Sequence, residues 1–378
     1  MGMKIALAGG GTAGHVNPLL AVAEELRRRG DDIVVIGTEE GLEHRLVPEA
    51  GFEMVTIARV PLPRRPSPDL LTLPRRLREA ERVCQSVLED CDALVGFGGY
   101  VSTPAYRAAA HMGRPFLIHE QNARPGLANR WGARTADVVA LTFQSTPLKA
   151  SEGRTVVTGL PLRPAIADLA TIRRGEGGRL QARREAAQRL GISPDSRTLL
   201  ITGGSLGARH INEVLSESSG DIPADIQVIH LTGKGKADDV RGVLEREGID
   251  ASRWIVMEYL DQMQDALAVA DLVVCRSGAG TVAELQALGI PALYVPLPIG
   301  NGEQKLNATD HVNSGGAVIC DDSAFNRKVV DDLLVPLLED GDRLAEMARL
   351  SADTGRIDAA SEVADLVASM VDGSKAER

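Results

Sequence analysis

The sequence predicts an α/β protein made of two doubly wound domains that face a cleft. Two observations predict this fold class: short apolar runs enter glycine-rich loops followed by helical patterns, and the scheme restarts beyond the middle of the chain. The first run, Lys4–Ala8, enters a loop at residues 9–14, and a later run, Thr198–Thr202, enters a loop at 203–207. Strands that alternate with helices in this way are typical of parallel sheets whose loops bind a ligand.

The other elements follow in order along the chain. A helical pattern of apolar residues follows the first loop from Pro18, with Leu19, Leu20, Val22, Ala23 and Leu26. Further apolar runs predict strands at residues 32–37, 93–97, 115–118 and 138–141, and then at 227–231, 254–257, 271–275 and 292–296. The length of 378 residues favours two domains of ordinary size. We expect them at residues 1–158 and 159–378, with room for the last helix to pack back on the first domain.

Composition excludes several classes of protein. With 44% hydrophobic and 25% charged residues, the chain is typical of a globular protein, and no apolar run is long enough to cross a bilayer. The net charge of −10 argues against general nucleic-acid binding. The N-terminal run lacks the features of a secretory signal. The four cysteines lack metal-ligand spacing, which favours a reduced, cytoplasmic protein without a metal site; they are Cys84, Cys91, Cys275 and Cys320.

Residues 59–82, which we call the basic segment, carry a net positive charge although the chain as a whole is acidic. Its seven arginines are Arg59, Arg64, Arg65, Arg75, Arg76, Arg78 and Arg82, and leucines stand between them at 62, 70, 71, 73 and 77. Arginines beside leucines suit an anionic membrane surface. A solvated loop followed by an amphipathic helix with its apolar side on the core explains the same pattern. The residues leave both interpretations open.

The first glycine loop is a candidate anion site. Gly9, Gly11 and Gly14 match G-x-G-x-x-G, and the backbone N–H groups at the start of the following helix suit a phosphate. His15 follows at once and would place an imidazole at the mouth of the sheet. A dinucleotide site, with Glu39 binding a ribose, is an alternative. No hydride-transfer constellation accompanies it, however, and the second half of the chain repeats glycine loops that a dehydrogenase does not need.

The second half holds two further candidate sites. Residues 277–284 combine small residues with Thr281 and Glu284, which indicates either a capping box or a loop that binds a diphosphate while Glu284 accepts ribose hydroxyls. The polar cluster at residues 300–307 suits sugar hydroxyls, although turn chemistry also explains it. Arg163 could meet a phosphate or be a surface charge. The Asp-x-Asp at residues 90–92 precedes a strand, so a turn explains it better than a metal site does.

Six ordered motifs together resemble the MurG family of bacterial cell-wall N-acetylglucosaminyltransferases along nearly the whole chain. They are Gly-Gly-Gly-Thr-Ala-Gly-His at 9–15, Gly-Gly-Tyr-Val-Ser at 98–102, His-Glu-Gln-Asn at 119–122, Gly-Gly-Ser-Leu-Gly-Ala-Arg at 203–209, Cys-Arg-Ser-Gly-Ala-Gly-Thr-Val-Ala-Glu at 275–284 and Glu-Gln-Lys-Leu-Asn-Ala at 303–308. The resemblance implies a GT-B fold of two Rossmann-like domains. It also implies inverting transfer of GlcNAc from UDP-GlcNAc to the muramoyl 4-hydroxyl of lipid I, making lipid II for peptidoglycan at the cytoplasmic face of the plasma membrane. The basic segment then becomes the membrane-facing surface of a peripheral enzyme.

The resemblance also implies roles for single residues. We expect His15 to be the general base, since imidazole accepts protons near neutral pH, with Glu120 as the second candidate. The residues expected to bind substrate are Thr12, Ala13, Gly14, Asn122, Arg163 (phosphate), Ser205 (phosphate), Leu260 (uracil), Ala279, Gly280, Thr281, Val282, Ala283, Glu284 (ribose) and Gln304 (sugar hydroxyls). Ala13, Leu160 and Glu303 depart from the family pattern, which affects the sugar contacts.

We expect neither a metal nor another cofactor. The alternatives are another GT-B enzyme that uses a UDP-sugar, such as an antibiotic glycosyltransferase or a UDP-GlcNAc epimerase, and a nucleotide-binding protein without catalysis.

Overall fold

The computed structural model of the chain describes residues 2–60, 69–204, 207–298 and 302–376, and only the backbone of 69–71 and 375–376. The chain divides into two compact units. The first comprises Met1–Arg163 together with Ile357–Arg378, and the second comprises Pro164–Arg356. The division therefore falls a few residues after the expected boundary at 158, and the end of the chain belongs to the first unit.

The first unit is built on a parallel sheet with the strand order β3-β2-β1-β4-β5-β6-β7. Its strands are Lys4–Ala8 (β1), Asp32–Gly37 (β2), Glu53–Thr56 (β3), Ala93–Gly96 (β4), Phe116–Glu120 (β5), Val138–Leu141 (β6) and Arg154–Val157 (β7). The central strands are buried on both faces, as their continuous apolar sequences require. Ile5 pairs with Ile33 on one side and with Ala93 on the other.

Helices cover both faces of this sheet. They are Ala13–Arg28 (α1), Glu43–Glu49 (α2), Asp69–Leu88 (α3), Ser102–Met112 (α4) and Leu127–Gly132 (α5), and the final helix Ala359–Ala376 also belongs to this unit. The final helix packs against α1, and Val363 and Val367 are fully buried in the same apolar cluster as Leu19 and Leu26 of α1. Arg29 Nη2 donates to Ser361 Oγ at 2.7 Å and ties the two segments together at the surface.

The second unit has a parallel sheet with the order β10-β9-β8-β11-β12-β13. Its strands are Thr198–Thr202 (β8), Gln227–Leu231 (β9), Trp254–Met257 (β10), Leu272–Cys275 (β11), Ala292–Tyr294 (β12) and Ala317–Ile319 (β13). Its helices are Pro164–Arg173 (α6), Glu176–Leu190 (α7), Arg209–Glu217 (α8), Ala237–Arg246 (α9), Met263–Val269 (α10), Ala279–Leu288 (α11), Glu303–Asn307 (α12), Thr309–Asn313 (α13), Arg327–Val329 (α14), Val335–Glu339 (α15) and Gly341–Thr354 (α16). The final helix of the chain is then α17. Short 3₁₀ and π segments occupy Asp322–Ala324 and Val330–Leu334.

Each sheet reverses its strand order at one place, and the glycine motifs follow the strands at those places. In the first unit the reversal lies between β1 and β4, and in the second it lies between β8 and β11. Open α/β sheets bind ligands beyond the carboxyl ends of the strands at this switch point, because the two loops diverge there and leave a crevice. The fold therefore singles out the loops at 9–12 and 97–101 in the first unit, and the chain that follows β8 and β11 in the second.

Among the described residues, no helix is both long enough and apolar enough to span a bilayer.

Candidate active site

The first glycine loop ends in helix α1, which begins at Ala13 rather than at Pro18 as the sequence predicted. Thr12 is its N-terminal cap residue, and the Thr12 carbonyl accepts hydrogen bonds from the backbone N–H groups of His15 and Val16 at 3.0 and 3.1 Å. The Thr12 hydroxyl lies 3.0 Å from His15 Nδ1. Ala13 and Gly14 are exposed beside it. His15 thus projects from the first turn of a helix, with one ring nitrogen already occupied.

The loop after β4 packs directly against this first loop. Gly98 and Gly99 both have a φ of +84°, and a Cβ on Gly99 would lie 2.7 Å from the Gly10 carbonyl oxygen. A Cβ on Gly98 would lie 3.4 Å from Cδ2 of His15. The buried Ser102 hydroxyl is shared between the carbonyl oxygens of Ala8 and Gly98, at 3.0 and 2.8 Å. Only glycine permits both the backbone conformation and the close approach, so this motif positions the wall beside His15.

His15 is partly buried, and this environment changes its protonation. Burial lowers the pKa of His15 below that of an ordinary histidine, while the negative charge of Glu43 opposes the shift. Because the net pKa is lowered, the neutral imidazole predominates at neutral pH. A neutral imidazole with Nδ1 held by Thr12 can accept a proton at Nε2.

Glu120, the second candidate base, has a different environment. It is 1% exposed, and its carboxylate accepts hydrogen bonds from the backbone N–H groups of Asn122 and Gly126 and from Asn129 Nδ2, at 2.9, 3.0 and 2.9 Å. The Asn122 side chain also bonds to it. Tyr106 holds Asn129 in turn through a 2.8 Å hydrogen bond. Burial raises the pKa of Glu120 and these donors oppose the shift. This carboxylate holds the loop after β5, which includes Asn122, and its lone pairs are already in use.

In the second unit, helix α11 follows β11 with Gly278 as its cap residue and no side-chain cap. The capping-box interpretation of Thr281 and Glu284 is therefore wrong, since Thr281 lies inside the helix. Val282 N–H bonds to the Gly278 carbonyl at 3.0 Å, and the N–H groups that precede it have no acceptor within the helix. Glu284 lies one turn further on and is partly exposed. The start of α11 can thus receive an anion, with a carboxylate close behind.

The side chains of Asn307 and Gln304 hold the chain just before α11 and the loop after β12, respectively. Within the described ranges, the fully buried hydroxyl of Ser277 has no hydrogen-bond partner, and Asn307 Nδ2 donates to the Ser277 carbonyl at 3.4 Å. Gln304, in the first turn of α12, accepts a hydrogen bond from the Leu297 backbone N–H through Oε1 at 3.0 Å. Gln304 therefore fixes the loop after β12 with its oxygen.

The remaining predicted residues lie on other elements of the two units or outside the described residues. Arg163 is partly buried and directly precedes α6, and Leu260 is partly exposed just after β10. Ser205 lies outside the described residues, as do residues 300 and 301 of the polar cluster. Glu39 is exposed after β2. Asp92 accepts a hydrogen bond from the Lys4 backbone N–H at 2.9 Å, at the amino end of β1 and far from the glycine loops, which agrees with a turn at 90–92.

The basic segment divides into arginines that bind protein and arginines that face solvent. Arg59 stacks on the Tyr100 ring at 4.8 Å, and its carbonyl accepts a 2.6 Å hydrogen bond from Arg76 Nη2. Arg75 is 85% exposed and its Nε donates to Glu79 Oε1 at 2.9 Å, and Arg78 and Arg82 are also exposed on α3. Arg64 and Arg65 lie outside the described residues. Leu73 and Leu77 pack against the core, as the amphipathic-helix interpretation expects of them; the side chains of Leu70 and Leu71 are not described.

Sequence reasoning missed Glu43, which is completely buried beneath the first glycine loop. Its carboxylate accepts hydrogen bonds from the backbone N–H groups of Gly11 and Thr38 at 2.8 and 3.0 Å. It also missed Asn129. Ser277 was part of the candidate loop at 277–284, although its buried hydroxyl was not foreseen.

Two family models match most of the chain. The glycosyltransferase family 28 N-terminal domain matches residues 5–141, and the family 28 C-terminal domain matches residues 198–366. Among curated proteins, the UDP-N-acetylglucosamine–N-acetylmuramyl-(pentapeptide) pyrophosphoryl-undecaprenol N-acetylglucosamine transferase of Bifidobacterium longum is 47% identical over 98% of both chains. The protein of that name from Streptomyces coelicolor is 46% identical over 94% of this chain and 95% of its own.

Solved structures agree with these matches. The crystal structure of Acinetobacter baumannii MurG has a TM-score of 0.78 at 28% identity and covers 97% of this chain and 99% of its own. A UDP-GlcNAc 2-epimerase from Neisseria meningitidis, bound to UDP-GlcNAc, has a TM-score of 0.68 at 14% identity and covers 96% of this chain and 99% of its own, so that likeness concerns the fold alone. The chain has the GT-B fold and belongs to glycosyltransferase family 28, within the MurG family of N-acetylglucosaminyltransferases.

Proposed function

We propose that this chain transfers GlcNAc from UDP-GlcNAc to the 4-hydroxyl of MurNAc in lipid I, with inversion at the anomeric carbon, and so makes lipid II. One observation carries the proposal: relatives named for this transfer are 47% identical over 98% of the chain. The two switch-point loops of each unit supply the groups that such a transfer needs. An inverting transfer requires a base for the acceptor hydroxyl and donors that stabilise the departing diphosphate.

His15 is the proposed base. In the tautomer that can act, Nδ1–H donates to the Thr12 hydroxyl, which lies 3.0 Å away, and Nε2 accepts the proton of the acceptor hydroxyl. Ala13, Gly14 and Asn122 would contact the acceptor sugar beside it. Glu120 is the weaker candidate because its oxygens already accept hydrogen bonds from three donor residues and it is almost completely buried.

The donor nucleotide would bind at the start of α11. The N–H groups of Ala279, Gly280 and Thr281 lie in the first turn of the helix and suit the diphosphate, and the departing charge would be stabilised by them together with Arg163 and Ser205. Glu284 would accept hydrogen bonds from the ribose hydroxyls. Val282 and Ala283 would line the nucleotide, Leu260 the uracil, and Gln304 the sugar hydroxyls.

We also propose that the exposed side of α3 meets the anionic cytoplasmic leaflet in which the acceptor is anchored. Arg75, Arg78 and Arg82 stand at spacings of three and four residues, so they share one side of the helix, and all three are exposed. Leu73 and Leu77 hold the opposite side of α3 to the core. Binding through these arginines is electrostatic and is therefore weakened by salt.

Reversing Arg75, Arg78 and Arg82 to glutamate is expected to weaken binding to vesicles containing phosphatidylglycerol by at least about tenfold at low salt. Turnover with a water-soluble acceptor should stay unchanged. Reversal of Arg179, Arg184 and Arg246, exposed on α7 and α9, changes the net charge equally and is the control. Co-sedimentation measures the binding; equal losses in both triple variants, or none in either, would contradict a membrane role for α3.

Divalent ions are expected to be unnecessary for turnover. The N–H groups at the start of α11 carry partial positive charge and can stabilise the diphosphate that leaves. We expect activity in excess EDTA to stay within about twofold of the untreated enzyme. Loss of activity that magnesium or manganese restores would show that the leaving group needs a metal.

Acceptor dependence tests the proposed reaction. The chain should release UDP from UDP-GlcNAc at a substantial rate only when a short-chain lipid I analogue is present, and UDP and disaccharide should form in equal amounts. An epimerase would instead convert UDP-GlcNAc, without acceptor, to its C2 epimer or to the free epimeric sugar and UDP. A nucleotide-binding protein without catalysis would bind UDP-GlcNAc and form no product.

A further inference from the structure

Glu43 is a completely buried carboxylate directly beneath the first glycine loop. Its Oε2 accepts a hydrogen bond from the Gly11 backbone N–H at 2.8 Å. Its Oε1 accepts hydrogen bonds from the backbone N–H and the hydroxyl of Thr38, at 3.0 and 2.7 Å. Buried carboxylates are costly unless donors satisfy them, and here three donors do so. Glu43 thus joins the loop after β1 to the end of β2.

Three glycines pack closely around this carboxylate. A Cβ on Gly10 would lie 2.3 Å from the Glu43 carboxylate, and a Cβ on Gly41 would lie 2.0 Å from it. A Cβ on Gly37 would lie 2.8 Å from Glu43 Cγ. Three glycines from three segments therefore close around one side chain. The position of the carboxylate fixes the path of the loop, and the loop in turn holds the carboxylate.

The same loop carries His15. Gly11, which Glu43 holds, is followed directly by Thr12, whose carbonyl and hydroxyl both contact His15 at 3.0 Å. Glu43 also acts through its charge, which raises the pKa of His15 against the effect of burial. A displacement of about 1 Å at a reacting group can cost about a hundredfold in rate. Any movement of Gly11 would be passed on to Thr12 and His15.

We propose that Glu43 is a positioning residue for the transfer reaction: it fixes the loop that carries Thr12 and His15, and its negative charge acts on the imidazole. The proposal rests on the role proposed for His15. A purely structural Glu43 would contribute to the stability of the first unit and to nothing else. The two roles differ in what happens to the kinetics and to the titration of His15.

The test compares Glu43→Gln with Asp92→Asn. Asp92 accepts a backbone hydrogen bond from Lys4 at the amino end of β1, whereas Glu43 bonds to the loop at the carboxyl end of that strand. Asp92→Asn therefore also removes a carboxylate charge but leaves the loop untouched. In Glu43→Gln, the amide keeps the size of the side chain but removes its charge. Its NH₂ group replaces one of the accepting oxygens and therefore faces a backbone N–H that also donates. The measurements are kcat with the water-soluble acceptor, NMR titration of the His15 ring, and the melting temperature.

For Glu43→Gln we expect kcat to fall at least about tenfold and the His15 midpoint to move to lower pH, because a negative charge that favours the protonated ring is gone. Asp92→Asn should keep kcat within about twofold and the His15 midpoint unchanged, whatever its melting temperature. If Glu43→Gln does not fold, Glu43→Asp keeps the charge and shortens the reach, so kcat should fall with little change in the midpoint.

An unchanged kcat or an unchanged His15 midpoint in folded Glu43→Gln would overturn the proposal, as would full activity in Glu43→Asp if that variant has to be used. Failure of the proposed function is recognised separately, because full activity of His15→Ala would remove His15 from the reaction. The NMR titration would still report whether Glu43 acts on the ring.

Discussion

Replacing His15 by alanine is expected to lower kcat by about 10²–10⁴, the usual contribution of a general base. The KM for UDP-GlcNAc should stay close to normal, because His15 lies in the first unit and the proposed nucleotide contacts are mainly on α11 of the second. Steady-state kinetics with a water-soluble acceptor measure both parameters. The physical basis is that the acceptor hydroxyl must lose its proton as the new bond forms, and the ring nitrogen beside it is neutral at neutral pH.

His44→Ala is the matched control, since His44 is exposed on α2 of the same unit. It should keep full turnover. Near-normal turnover of His15→Ala would remove His15 from the mechanism and leave Glu120 as the candidate, despite the donors that surround it.

The pH profile of the wild-type protein follows from the same site. Burial lowers the pKa of His15, so the ring stays neutral at pH values where an ordinary histidine is already protonated. Activity that needs the neutral ring is lost as the pH falls through this lowered pKa. The acidic limb of kcat/KM should therefore lie below the ordinary histidine range. A limb at or above that range would contradict the assignment.

The second large effect is expected at Glu284. Replacement by glutamine keeps the shape and removes the charge, which should weaken donor binding by about 1–3 kcal/mol, or roughly tenfold to a hundredfold in the KM for UDP-GlcNAc. The melting temperature should respond less than donor binding does, because Gly278 caps helix α11 without a side-chain hydrogen bond, so no capping box is lost. Kinetics and a thermal melt on the same preparation test both statements.

Glu245→Gln provides the comparison, since Glu245 is an exposed carboxylate near the far end of α9. It should change neither quantity. A Glu284→Gln variant with unchanged KM and a lowered melting temperature would assign Glu284 to the stability of the second unit instead of to the ribose.

The sequence predicted the central strands well, because each is a continuous apolar run buried between helices. It missed β3, β7 and β13, which lie at sheet edges. These strands have three or four residues, and most of their side chains are exposed or half-buried. An edge strand pairs on one side only, so its sequence needs no unbroken apolar run. The edge strand β10 was predicted because its four residues are all apolar.

The start of α1 could not be located correctly for a different reason. The apolar pattern begins at Pro18 and therefore predicted the start there, yet the helix begins at Ala13 and Pro18 lies inside it. Pro18 has no N–H for the Gly14 carbonyl, and the packing of α1 against the sheet outweighs that loss. His15 is consequently a helix residue, held by the cap residue Thr12.

Site residues that belong to a local sequence motif could be predicted. Site residues whose role depends on contacts between distant parts of the chain could not. The glycine loops and the start of α11 were found from their motifs. Glu43 was not, because its role depends on Gly10, Gly37 and Gly41 closing around it. Glu120 was found but as a candidate base, since the donors that occupy it come together only in the folded loop.

The most direct test of the central claim is the anomeric configuration of the sugar in the product. Wild-type protein is incubated with α-linked UDP-GlcNAc and a short-chain lipid I analogue, and the disaccharide is analysed by proton NMR. A single displacement, with a base on the acceptor hydroxyl, predicts a β-linked GlcNAc on the 4-hydroxyl of MurNAc. An α-linked product, a linkage to another hydroxyl, or release of free sugar without a disaccharide would contradict the account.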